Sequence, residues 1–189
     1  MNLNTARCNS RLSYLLLLLA LTGGLLSSQA YAKSAAEINI EATETLNRFK
    51  REVSGGSKFL QRASGVLIFP SVIKAGFVVG GEYGEGALRV GGKTVAYYNT
   101  ASASVGFQLG AQSKSIVIVF MSAKALADFR KSDGWEAGVD GSVAVVEWGV
   151  GKDINTIDIK DPVIGFVFSN KGLMYNLTLE GSKFTRIHK

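Results

Sequence analysis

Glu82 and Glu85, three residues apart in GEYGEG (Gly81 to Gly86), come nearest in type and spacing to an acid–base couple. Two carboxylates held about 5 to 9.5 Å apart across a sugar can hydrolyse a glycosidic bond, one giving a proton while the other attacks or activates water. Beside so many glycines the same acids read as solvated loop residues, and no cleft signature surrounds them. A carboxylate-dependent hydrolase is therefore the third reading of this chain. His188, the single histidine, is next to the last residue, where a chain end usually frays, so a Ser-His-Asp arrangement or a histidine metal site lacks a rigid base. No H-E-x-x-H and no Asp-rich calcium loop occurs. GGKT (Gly91 to Thr94) ends like a phosphate-binding loop, but the required first glycine falls on Ala87, with Gly86 one residue out of register. It reads as a hairpin turn. GEYGEG shares only glycine content with a dinucleotide fingerprint, because the strand-like ALRV follows it instead of a helix N-terminus. The expectation is a non-enzymatic protein with no cofactor and no metal.

Charge points to binding. Lys and Arg number 21 against 15 Asp and Glu, and Arg48, Lys50, Arg51, Lys58 and Arg62 crowd one short stretch against Glu52 alone. Such a patch suits an anionic surface such as phospholipid headgroups, and it also reads as the solvated end of a helix.

The elements that must position these residues are legible in outline. Arg7 and Arg11, the apolar run LSYLLLLLALTGGLL and the small-x-small AYA at Ala30 to Ala32 compose an export signal, with cleavage expected after Ala32. Cys8 precedes the apolar run, away from the cleavage point a lipoprotein would need. Residues 33–189 are then a single cysteine-free domain held by packing, with an exported, periplasmic location that excludes nucleic acid as a partner. Ser34 and Glu37 form a capping box that starts a helix; Ala42, Leu46, Phe49 and Val53 give its apolar stripe, and Gly55-Gly56 stops it. SKFLQRA adds a short helical piece. From Gly65 onward, short β-branched and aromatic runs broken by glycine dominate, interrupted by one helix in SAKALADFRKSDG with Ala125, Leu126 and Phe129 as its stripe. The fold class is α+β, mainly β: a small antiparallel β-barrel or strongly curved sheet with two to three helices packed outside. In such a sheet glycine relieves crowding where backbones approach closely.

ASGVLIFPSVIKAGFVVGGEYGEGAL resembles the signature of the SYLF domain family: a small residue and glycine, an apolar strand, Pro, a Lys-containing turn and a Gly-rich strand pair. GFQLGAQSKSIVIVFMSAKALADF resembles its second block, and GLMYNLTLEGS its closing strand, ending at Leu179 to Ser182. The resemblance implies a lipid-binding module on a β-barrel core with surface helices, in the manner of exported bacterial envelope members. Phosphoinositide-type recognition and actin belong to eukaryotic members, and an exported chain would not meet actin, so anionic phospholipid or a membrane surface is the partner carried over. With Lys74 in SVIKAG, the expected lipid-binding set is Arg48, Lys50, Arg51, Lys58, Arg62 and Lys74. The alternative is a structural or interaction protein that binds another cell-envelope protein through a sheet edge or apolar groove. Ser115 replaces a common Asp of the family, and EWGVG (Glu147 to Gly151) replaces a Gly-Pro-x-Gly turn. Trp148 there reads as a buried strand-end residue or an interfacial anchor.

Overall fold

The computed structural model of the protein describes residues 32–53, 55–76, 79–105, 112–146, 161–169, 172–173 and 179–189. The segment expected to be an export signal, up to residue 31, Trp148 with EWGVG, and all of the second block's glycine-rich core except Gln112 lie outside these residues. Lys33–Lys189 form one compact unit.

Helix α1 (Ala35–Glu52) begins where the capping box places it. Ser34 Oγ accepts from the Glu37 amide at 3.2 Å, and Glu37 Oε2 accepts from the Ser34 amide at 2.7 Å. Its buried side chains are Ile38, Ala42, Thr45 and Phe49, a stripe at helical spacing. Gly55, at φ 77°, takes the left-handed conformation that separates α1 from α2 (Gly56–Arg62). Helix α3 (Ala123–Lys131) is capped by Ser122 and buries Leu126 and Phe129.

The strands are β1 (Gly65–Gly76), β2 (Val79–Val90), β3 (Lys93–Val105), β4 (Gln112–Phe120), β5 (Trp135–Glu136), β6 (Ala144–Val146), β7 (Val163–Ser169), β8 (Gly172–Leu173) and β9 (Lys183–Ile187). They form one sheet in the order β5-β9-β3-β2-β1-β4-β7-β6, with β8 on β7. All pairs are antiparallel except β6 with β7. This is a strongly curled open sheet, a half-barrel with helices. Its curl shows in the rings: Phe69 on β1 and Phe184 on β9 are three strands apart in the order, about 14 Å in a flat sheet, yet their centroids are 5.5 Å apart.

The curl divides the side chains into two cores. The inner face gathers Leu67, Phe69, Leu88, Tyr98, Ile118 and Phe184 with Phe129 of α3 and Trp135. The outer face packs Val66, Ile68, Ala87, Val117, Val119 and Phe166 against Ile38, Phe49 and Phe59 of the first two helices. A polar clamp fixes α1 on the sheet: Asn39 donates to Tyr97 Oη at 2.8 Å and accepts from Thr94 at 2.7 Å, while Arg89 donates to the Asn39 carbonyl at 2.9 Å.

One irregularity organises the centre. Pro70 has no N–H to donate, and β1 bulges around it, shifting register between Ile68 and Ser71 on the β2 side and between Phe69 and Val72 on the β4 side. Ser115 Oγ donates to the Pro70 carbonyl at 2.6 Å. The bulged backbone occupies the space where Cβ atoms at Gly84 and Gly86 would stand. The glycines of GEYGEG therefore lie inside β2 as close-approach residues, and the segment is strand where a loop was expected. SVIKAG is likewise strand through Gly76, with Lys74 opposite Glu82. GGKT does make a hairpin: Gly91 and Gly92 have φ of 57° and 80°, and Val90 pairs with Lys93.

Candidate functional site

Residues Glu41, Glu44, Thr45, Arg48 and Arg51 fall at i, i+3, i+4, i+7 and i+10 of α1, so they share one side of the helix. That side overhangs the bulge, and the space between is a groove of about 660 Å³ with Lys33, Pro70, Ser71 and Ser115 on its other walls. Within it Lys33 Nζ pairs with Glu41, and Arg48 Nε pairs with Glu52 at 2.8 Å. The Ser71 and Ser113 hydroxyls lie 3.0 Å apart. The groove therefore carries both signs: Arg48 and Lys33 are paired with Glu52 and Glu41, Glu44 shares the helix wall, and Arg51 with the Ser71 hydroxyl adds donors of the kind that phosphate or carboxylate recognition uses. Among the described residues no three His, Cys, Asp or Glu side chains come together as a metal site.

Of the expected lipid-binding residues, the structure brings five to the helices. Arg48 lies on the groove side of α1 beside exposed Lys50 and Arg51, while Lys58 and Arg62 are exposed on α2. Lys74 is separated from them. It lies on the inner face of β1, where its Nζ is 3.7 Å from Glu82 and where Lys114 Nζ approaches the other Glu82 oxygen at 2.6 Å. Lys114 is 6 % exposed, so this triad is a largely buried charge cluster that places two cations on one carboxylate.

Glu85 is on the opposite, outer face of β2. It accepts from the Lys33 backbone amide at 3.1 Å, from Tyr83 Oη at 3.0 Å and from Lys189 Nζ at 2.9 Å. Burial, then the bond to Glu85, raises the Tyr83 phenol above its ordinary pKa. Because β2 is regular between them, Glu82 and Glu85 point to opposite sides of the sheet, each held by its own cations. They cannot flank one substrate bond, which removes the carboxylate-dependent hydrolase reading.

Residues 101–188 match the family model described as Ysc84, Las17-binding protein actin regulator. The chain carries a Ysc84/SYLF-family domain. It is similar to SH3 domain-containing YSC84-like protein 1 from Bos taurus, 31% identical over 157 residues that cover 80% of this chain and 46% of the relative. The Homo sapiens protein of the same name is 30% identical over 156 residues, covering 80% and 45%. The chain thus spans about half the length of the curated relatives it matches. The family model's segment takes in Lys114 and Ser115 but not α1, α2, β1 or β2, so the helical bases, Lys74 and both glutamates stand outside it.

Proposed function

We propose that this protein is an exported, periplasmic, non-enzymatic binding module that docks on anionic phospholipid through the basic surface of α1 and α2. The family description speaks of an actin regulator that binds Las17; binding is what we carry over, since an exported chain does not meet actin. The observation that supports lipid is the basic surface of the first two helices: Arg48 and Arg51 line the groove with Ser71 and Ser115, and Lys50 on α1 and Lys58 and Arg62 on α2 are exposed. Each base near an anionic surface contributes about 1 kcal/mol, enough in sum for reversible, salt-sensitive attachment. No helix among the described residues is long and apolar enough to cross a membrane, in keeping with peripheral docking.

Co-sedimentation with phosphatidylcholine vesicles, with and without phosphatidylglycerol, tests the reading. Binding is expected only with the anionic lipid and is expected to disappear at high salt. Joint replacement of Lys58 and Arg62 by Ala should weaken it by about 2 kcal/mol, roughly thirtyfold in partition. Salt-independent behaviour together with a specific cross-linked envelope protein would replace this reading with the interaction-protein alternative.

A further inference from the structure

The helices cover only part of the outer sheet face. Beyond the residues under α1, Ile73 on β1 and Tyr83 on β2 stand open at 53% and 51% exposure. They are direct cross-strand partners, so an aliphatic chain and an aromatic ring stand side by side. The bulge causes this. Counting by twos from Leu67 and Phe69 would turn Ile73 to the inner core, and the extra residue at Pro70 turns it outward instead. The row continues with exposed Ala101 on β3 and exposed Ser113 on β4, and no charged side chain interrupts it between those strands.

Two margins of this apolar row carry cations with acids beside them, Glu41 and Glu44 in the groove and Glu136 opposite Lys183. Ser71, two residues before Ile73 on the same face, lines the groove that holds Arg48 and Arg51. On the other flank exposed Lys183 is the cross-strand partner of Ala101. The patch is a sheet face whose strands β1 and β2 are paired on both sides, so it offers no free backbone ladder for an added peptide strand. Two half-exposed large side chains also fall far short of the roughly 800 Å² per partner that a stable second copy needs. A shallow apolar centre with cations at its margins matches the boundary between headgroups and acyl chains, and a tyrosine ring with its hydroxyl held by Glu85 suits that depth.

Resting on the lipid reading above, we propose that the Ile73–Tyr83 face is the surface that enters an anionic bilayer, with the bases of α1 and Lys183 at headgroup level on either side. Tyr83→Cys in a Cys8→Ser background, carrying an environment-sensitive fluorophore, is mixed with phosphatidylcholine/phosphatidylglycerol vesicles; Ala127→Cys on exposed α3 carries the same label as control. The expected result is a blue shift at position 83 and none at 127. Ile73→Ser, at an exposed position that leaves the circular dichroism and the net charge unchanged, should lower vesicle partition about five- to tenfold, the loss of one shallowly inserted aliphatic side chain. Sedimentation with anionic vesicles without a shift at position 83 overturns this inference and leaves the headgroup reading intact. Absence of sedimentation overturns both. A shift at position 83 that grows with protein concentration in the absence of lipid would assign the face to a second copy and overturn the proposal as well.

Discussion

Replacing Gly86 with Ala tests the idea that the bulge at Pro70, and not a loop or a ligand, demands the glycines of β2. A Cβ at Gly86 would stand 2.2 Å from the Ile68 carbonyl oxygen and 2.6 Å from Phe69 Cδ1. The first is a backbone atom in a central strand paired on both sides, so no rotamer relieves the overlap. Restoring an ordinary contact needs a shift of about 1 Å between β1 and β2, and forced backbone movement in a packed core costs typically 1–3 kcal/mol, here at the upper end of about 3. At about 2–4 °C per kcal/mol for a domain of this size, the melting temperature should fall by roughly 6 to 12 °C. Gly81→Ala is the internal control, because its Cβ would meet only the Ser102 carbonyl oxygen at 3.6 Å; it should be neutral or slightly stabilising through the lost freedom of the unfolded chain. Thermal and urea denaturation followed by circular dichroism read both. A Gly86→Ala protein that melts within about 2 °C of the parent would refute the reasoning, because the bulge would then not fill that space.

Glu82→Gln should destabilise by about 3 kcal/mol in urea titration, since it strands the Lys114 ammonium, while Glu82→Met with Lys114→Met should recover most of the loss. Ser34→Ala removes the α1 cap and should cost about 1 kcal/mol in the same titration. The hydrogen bond from the Ser34 backbone, and then that from its side chain, hold the Glu37 carboxyl below its ordinary pKa. A depressed folded pKa means the contribution is present above the unfolded value and disappears as pH falls through the folded one, so Glu37→Gln should lower stability at neutrality and flatten the profile below about pH 4.5. Glu85→Gln should loosen both ends of the compact unit, seen as faster amide exchange at the start of α1 and in β9 with little change in β4.

What the sequence made legible was mostly local. The capping box of α1, the Ser122 helix and the Gly91-Gly92 hairpin each depend on residues within a few positions of one another, and each forms where the pattern places it. The second and closing blocks of the family resemblance are likewise local runs, and both lie inside the 101–188 segment that matches the Ysc84 model. In GEYGEG the acids read as loop residues, whereas the close backbone approach expected of its glycines is present; what they approach, the bulge at Pro70, lies on another strand and beyond the reach of any window. The same bulge hid the place of Lys74. Counted by twos from Ile68 it shares the helix side, and one extra residue turns it inward to Glu82 and Lys114. Lys114 carried a readable signal, since it alternates with Ile116 and Ile118 toward the inner core, but its partner could be named only once strands were paired. Closure was not legible either: a tally of strands is the same for a barrel and for an open half-barrel, and the difference lies in whether the last strands find each other.

Glu85 holds the amide of Lys33 and the ammonium of Lys189 on one carboxylate, so the two ends of the compact unit lie within a lysine side chain's reach of each other. In topological terms the domain is close to a ring. A linker of roughly five residues, at about 3.3–3.6 Å each, has the reach to join those ends, and new ends opened at the exposed Gly91-Gly92 hairpin would leave every strand partner in place. The order in which the strands leave the ribosome would change while the contacts would not, so such a permutant would separate the contribution of chain connectivity from that of packing in the folding of this sheet.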